Sequence, residues 1–238
     1  MSTVFVHVGQ AGCQLAQALW PTLACERPCS PDFFCPRAAP GQPPRPRAVL
    51  VDGEPKVIEA ALAERRGGSR STKVEAWDDF AFDPSAAAWS QSGRGGNFAL
   101  GYAGDGGAGV AAGGRPELVG QALECMRRQS EACHGAHIGT VLTHSLGGGT
   151  GSGLGSRLAV ELRDEYPRVP LFTLSVLPIT AGENPVQCFN ALLALATLQE
   201  VADGILLYEN DRLMALASDG KGRGGPSRAP PASGGARA

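Results

Sequence analysis

The chain has 238 residues, enough for one large core, and its 21 Lys and Arg against 23 Asp and Glu leave a net charge of −2 with no basic stripe. Nucleic acid is therefore excluded as the expected partner. No apolar run reaches the roughly 18 residues of a membrane span, and the opening MSTVFVHVGQ is neither a secretory signal nor a transit peptide, which predicts a soluble cytosolic or cytoskeletal protein with no membrane partner.

The first β-branched run, 3–8, predicts a strand that ends in the turn Gly9-Gln10-Ala11-Gly12-Cys13-Gln14 and opens a helix over 13–23. A proline-rich stretch follows over 28–46. Cys25, Cys29 and Cys35 lie in or beside it without the paired spacing of a zinc site, so it reads as a surface loop, and the seven cysteines as reduced thiols. A strand over 47–52 ends in Asp52-Gly53-Glu54-Pro55-Lys56, which puts two carboxylates in front of a helix predicted at 55–65. Glycine dominates 93–114, which predicts a loop. Then come a helix over 116–133, a strand over 136–144, a helix over 154–166, a strand over 171–177, a helix over 185–201 and a strand over 205–208. From 217 to 238 there is no Val, Ile, Leu, Met, aromatic or Cys, so this Gly-, Pro-, Ala- and Arg-rich tail is predicted to be disordered, leaving one domain over 1–216.

Strands alternating with helix-length crossovers specify an α/β fold, a three-layer, Rossmann-like domain around a parallel sheet. Ligands of such sheets sit beyond the carboxyl ends of the strands. There the strongest motif, THSLGGGTGSG at 143–153, joins a strand to a helix. Its glycines let successive N–H groups face an anion, the helix adds its positive end, and Ser145, Thr150 and Ser152 offer hydroxyls. The turn after the first strand brings a second helix N-terminus to the same end. A side chain at Gly149 or Gly151 is expected to stand where phosphate oxygens approach, with positive φ as a further constraint. Glu54 suits the Mg²⁺ of a nucleotide, or simply caps the helix at Pro55; Glu183 and Asn210 suit a ribose hydroxyl and a base edge. GxxxxGK[ST] is absent, the only Gly-Lys pair, Gly220-Lys221, lying in the tail, and GxGxxG occurs only in the long loop, at 104–109, and in the tail, at 220–225, so P-loop and dinucleotide enzymes are disfavoured.

THSLGGGTGSG, GQAGCQ, VDGEPKVI and ENDRL, in this order, resemble the tubulin family, and RAVLVDGEPKVI with LLYEND resembles its delta branch most. The resemblance implies a tubulin/FtsZ-type GTPase domain binding GTP or GDP with Mg²⁺. Phosphate contacts would come from Gln10, Ala11, Ser145, Gly148, Gly149, Thr150 and Gly151; Glu54 would serve the metal, Glu183 the ribose and Asn210 the guanine. It further implies a cytoplasmic, cytoskeletal protein of microtubules, centrioles, basal bodies and cilia, with other tubulins or centriolar proteins as partners. Three positions depart from the pattern. Gly96 stands where tubulins carry an asparagine, Gln187 where many carry an acid, and Ala11 where a cysteine is usual. By the same resemblance the chain stops inside the long helix after the last strand, with an incomplete domain; nothing in it orients a water, so hydrolysis is not expected and no catalytic residue is assigned. Two alternatives stay open: a degenerate tubulin fragment that no longer binds nucleotide, and an NAD-dependent oxidoreductase.

Overall fold

The computed structural model describes residues 2–25, 30–35, 43–63, 80–104, 110–111, 115–132, 136–179 and 185–222. A six-stranded parallel sheet is formed by β1 (Ser2–Val8), β2 (Ala48–Asp52), β3 (Ala87–Trp89), β4 (His137–Ser145), β5 (Leu171–Leu177) and β6 (Gly204–Glu209), in the order β6-β5-β4-β1-β2-β3. Around it lie α1 (Gly9–Cys25), α2 (Pro55–Ala63), α3 (Phe98–Ala103), α4 (Glu117–Glu131), α5 (Gly155–Glu165), α6 (Gln187–Val201) and α7 (Asn210–Gly222). The first three strands run outward one way from β1 and the last three run the other way, so the order reverses between β1 and β4. That reversal is the switch point at which open α/β sheets hold ligands.

The period-2 alternation of the strands builds the three layers. Val4, Val6 and Val8 of β1 and Val49 and Val51 of β2 point into a core with Leu118, Val119 and Met126 of α4, Leu158 of α5 and Leu198 of α6. The intervening Phe5, Ala48 and Leu50 point to the opposite side, against Cys13, Ala16 and Trp20 of α1 and Ile58 of α2. A sheet apolar on both faces has to be covered on both, and the predicted three-layer arrangement results.

The five predicted strands and five predicted helices all form. Not legible were β3, whose Ala-Ala-Trp is too short to show a period, α3, inside the glycine-rich stretch and started by Asn97, whose side chain accepts the Ala99 N–H, and two short antiparallel pairs, 34–35 with 45–46 and 110–111 with 115–116, in stretches read as loops. Helix α1 starts at Gly9 rather than 13, because the turn itself is already helical. Helix α7 continues to Gly222, past the predicted domain end at 216, while 223–238 lie outside the described residues. Cys29 also lies outside them, and among the described residues no group of three or more His, Cys, Asp or Glu is gathered for a metal. Among the described residues no helix is long and apolar enough to cross a membrane.

A buried polar chain ties the layers beneath the switch point. Trp20 Nε1–H donates to His7 Nε2 at 3.1 Å. That nitrogen must then be the acceptor, so Nδ1 carries the proton and donates it to the Thr143 hydroxyl at 2.6 Å. The indole also stacks edge-on against Phe5 and Phe34, with centroids 5.2 and 5.4 Å away. Trp20→Ala is expected to cost about 3–5 kcal/mol in urea unfolding, and Trp20→Phe about 1–3, since the smaller ring restores most of the packing but leaves His7 Nε2 without its donor. Equal losses for the two variants would mean that the lost hydrogen bond, not the lost volume, sets the cost.

Candidate functional site

Beyond the carboxyl ends of β1, β2 and β4 opens a cleft of about 430 Å³. Gly9, Gln10 and Ala11 wall it from the first turn, Asp52 and Glu54 from the end of β2, and Ser145, Gly148, Gly149, Thr150 and Gly151 from the turn after β4. Eight of the ten residues predicted for the site thus converge on one cavity, as these lining residues show. Asn210 is the first residue of α7, at the end of β6, and is not part of this wall. Glu183 lies outside the described residues.

The two turns meet at contact distance. Gly9 holds φ at +75°, and a Cβ there would sit 3.1 Å from the Gly151 amide nitrogen. Only glycine accepts both the left-handed backbone and the approach. After β4 the chain passes through a π-helical turn, Thr150–Leu154, into α5, with Ser152 N–H donating to the Gly148 carbonyl at 3.1 Å. His144 anchors the turn from below: its Nδ1–H donates to the Gly151 carbonyl at 2.7 Å and its Nε2 accepts from the Ser175 hydroxyl at 2.8 Å.

The roles of the glycines differ from the expectation. Gly149 has φ −70° and ψ −45°, an ordinary right-handed backbone. A Cβ there would fall 2.6 Å from both the Arg94 carbonyl oxygen and the Asn97 amide nitrogen, and at Gly151 it would fall on the Ser145 carbonyl. These two glycines are therefore required by the protein's own backbone, and positive φ plays no part. Gly148 is the exposed one, with nothing within 4 Å of a Cβ.

Two contributors were missed, the loop before α3 and Asn190. Arg94, Gly95 and Gly96 complete the wall from that loop, Gly96 having been singled out only as a departure from the tubulin pattern. Asn190, on α6 and 3% exposed, uses both amide donors and its carbonyl oxygen: Nδ2 donates to the Gly96 carbonyl at 2.7 Å and the Gly147 carbonyl at 2.8 Å, and Oδ1 accepts the Phe98 N–H at 3.0 Å. It locks the two loops together without lining the cleft. Gln187, one of the departures from the tubulin pattern, donates to the Ile179 carbonyl at 2.9 Å and so steadies the connection after β5. Asp52 also lines the cleft. Oδ1 accepts the Glu54 N–H at 3.1 Å, whereas Oδ2 is buried without a hydrogen-bond partner. Burial pushes its carboxyl up to about 6, with Glu54's charge adding to the effect and the Glu54 N–H opposing it.

The fold and this site define the class: a doubly wound α/β domain with a glycine-walled cleft at its switch point. Residues 2–218 match the Tubulin/FtsZ family, GTPase domain, and the chain belongs to that family. It is 34% identical over 225 residues to the "Tubulin beta-1 chain" of Colletotrichum graminicola, covering 88% of this chain and 46% of the relative. It is 31% identical over 230 residues to the "Tubulin beta chain" of Aspergillus fumigatus, covering 90% and 46%. The chain therefore spans about half the length of these relatives.

Two outcomes follow. Gly149→Ala and Gly151→Ala should each destabilise the fold by about 2 kcal/mol or more, as overpacking against fixed backbone does, while Gly148→Ala stays within about 0.5. Thermal melts of the three variants rank them, and equal melting temperatures would refute the backbone-contact account. The second outcome concerns pH. Burial holds the His7 ring down at about 3 and the His144 ring at about 4, the Gly151 carbonyl opposing at His144. Unfolded histidines near pH 6.5 take up protons that the folded rings refuse, so both rings lose stability as pH falls from about 6.5 towards those values. Asp52 has the opposite sign: folded, it binds its proton below about 6, ahead of the unfolded carboxyl near about 3.9, so its penalty is present above pH 6 and relieved towards 4. Two groups outweigh one. Urea midpoints should fall between about pH 6.5 and 4, and fall more steeply in Asp52→Asn.

Proposed function

We propose that the chain binds GTP or GDP with Mg²⁺ in this cleft, as the nucleotide-binding domain of a cytoskeletal protein of the tubulin kind. The meeting of two glycine turns at the switch point carries the reading, because it brings the starts of two helices to one cavity, and helix N-termini with their backbone N–H groups favour anions. Phosphates are the ligand chemistry that such a cradle suits, with Gln10, Ala11, Ser145, Gly148, Gly149, Thr150 and Gly151 around them. Glu183 and Asn210 are assigned to the ribose and the guanine on the family resemblance.

The residues present fit the metal. Mg²⁺ takes oxygen ligands and keeps several waters, so one or two carboxylates beside phosphate oxygens suffice. Asp52 Oδ2, buried and lacking a partner, and Glu54 face the same cleft. Asp52 and Glu54 would hold the ion, which would neutralise phosphate charge. With no residue assigned to orient a water, the site is read as one for binding rather than turnover.

A delta-type assignment is supported by RAVLVDGEPKVI at 47–58 and LLYEND at 206–211. On that basis the protein acts in the cytoplasm at centrioles, basal bodies and cilia, with other tubulins or centriolar proteins as partners. One observation favours the reading of a fold that has lost its ligand: Gly96 offers no side chain where the tubulin pattern has an asparagine.

Titration with fluorescent GTP, ATP and NADH separates the readings. Guanine nucleotide should bind in preference to NADH, and saturable NADH binding alone would point to an oxidoreductase instead. Gly148→Val should obstruct GTP while leaving the melting temperature unchanged. Asp52→Asn should raise the stability of the ligand-free chain at pH 7 by about 1 kcal/mol, since a charge is no longer buried, and lower the Mg²⁺-dependent part of GTP affinity about tenfold. Unchanged Mg²⁺ dependence would remove Asp52 from the metal's surroundings.

A further inference from the structure

We propose that Asn190 is the positioning residue that makes the turn after β4 receptive to polyphosphate, by holding the Gly147 carbonyl against α6 and so setting the direction of the Gly147–Gly148 peptide. The proposal rests on the nucleotide reading above and gives a role in it to a residue that does not line the cleft. A glycine turn carries both signs of partial charge. Its N–H groups attract an anion and its carbonyls repel one, and glycine's wide backbone range lets a peptide unit present either. The run Gly147-Gly148-Gly149 therefore needs a group outside itself to choose between them.

Both protons of Asn190 Nδ2 go to carbonyls of loops beside the cleft, Gly147 at 2.8 Å and Gly96 at 2.7 Å. The N–H and C=O of a trans peptide point in opposite directions, so a Gly147 carbonyl turned to α6 leaves the Gly148 N–H pointing away from α6. Gly148 lines the cleft, is exposed and has nothing within 4 Å of a Cβ, so this N–H belongs to an open part of the wall. Neighbouring carbonyls are taken up in the same way: that of Gly148 accepts from the Ser152 N–H at 3.1 Å and from the Ser152 hydroxyl, and that of Gly151 from His144 Nδ1–H at 2.7 Å. Asn190 differs from these two in reaching the turn from another element and in serving two loops at once. Its orientation is fixed, because Oδ1 accepts the Phe98 N–H at 3.0 Å and the reversed amide would set an oxygen against two carbonyls. At 3% exposure it meets little competition from water. Gly147 is also held on a second flank, where a Cβ on it would fall 3.0 Å from Pro178 Cβ.

The test is titration of the full chain with sodium tripolyphosphate, with GTP and Mg²⁺, and with guanosine, followed by calorimetry and by the amide resonance of Gly148. In the unsubstituted chain that resonance should shift as tripolyphosphate binds. Asn190→Leu and Asn190→Asp should each lose about 10- to 100-fold in affinity for tripolyphosphate and GTP together, the loss of one charge-assisted hydrogen bond, and change guanosine affinity less than about threefold. Relative to the unsubstituted chain at each pH, Asn190→Asp should recover affinity as pH falls from about 7.5 to 5, when its carboxyl takes up a proton that can be donated to a carbonyl, and Asn190→Leu should not. A merely structural role would lower all three affinities alike and give the two variants the same pH profile. That result, or a Gly148 resonance that stays in place while tripolyphosphate binds, would overturn the proposal. Should tripolyphosphate bind at Gly148 and GTP fail to bind, the nucleotide reading falls and the role of Asn190 stands; should neither bind, both fall.

Discussion

The rest of the structure depends on one close approach: the backbone of the turn after β1 lies against the backbone of the turn after β4, with a Cβ on Gly9 reaching within 3.1 Å of the Gly151 amide. No side chain separates them. Because the turns follow adjacent strands whose chain order reverses between them, α1 and the π turn leading into α5 start beside the same cleft. Inserting a side chain would move the start of one helix away from the start of the other.

That approach is maintained from beneath and from the side by buried polar groups whose hydrogen-bonding capacity is filled. His144 reaches up to the Gly151 carbonyl, His7 and Trp20 tie α1 to β1 and β4, and Asn190 binds the loop before α3 to the loop after β4. Each fixes a specific geometry that apolar packing would leave to slide, because a buried donor or acceptor tolerates only its partner. The tautomers follow from the partners: an indole N–H on one side of His7 and a carbonyl beside His144 leave one arrangement of protons for each ring. Asp52 is the exception. Its buried oxygen without a partner is a cost in the ligand-free chain, of the kind that sites pay where a cation or donor is to arrive.

Much of this was legible in sequence, for identifiable reasons. Alternating apolar positions such as Val4, Val6 and Val8 against Phe5 and His7 announce a strand covered on both faces, and five of the six strands were read from such patterns. The glycine motif at 143–153 and the turn at 9–14 announce phosphate-type loops because their residue types have few other uses at a strand-to-helix junction. β3 and α3 escaped because three and six residues, respectively, carry no readable period. The glycines were rightly singled out as a group and wrongly apportioned: nothing in the string GGGTG says that Gly149 and Gly151 are crowded by backbone from 94–97 and from Ser145, while Gly148 faces open space.

By itself, then, the sequence determined the α/β class, the tubulin-type motifs and most of the residues that gather at the cleft, since periodicity and motif spacing are local properties of a chain. Only the tertiary structure decided the strand order that brings 9–14, 52–54 and 145–151 to one point and the buried amide of Asn190 that locks two loops. These depend on distances between segments far apart along the chain. Such distances arise from which faces the sheet must bury and which backbones can touch, and they leave no pattern in the neighbouring residues that a sequence can display.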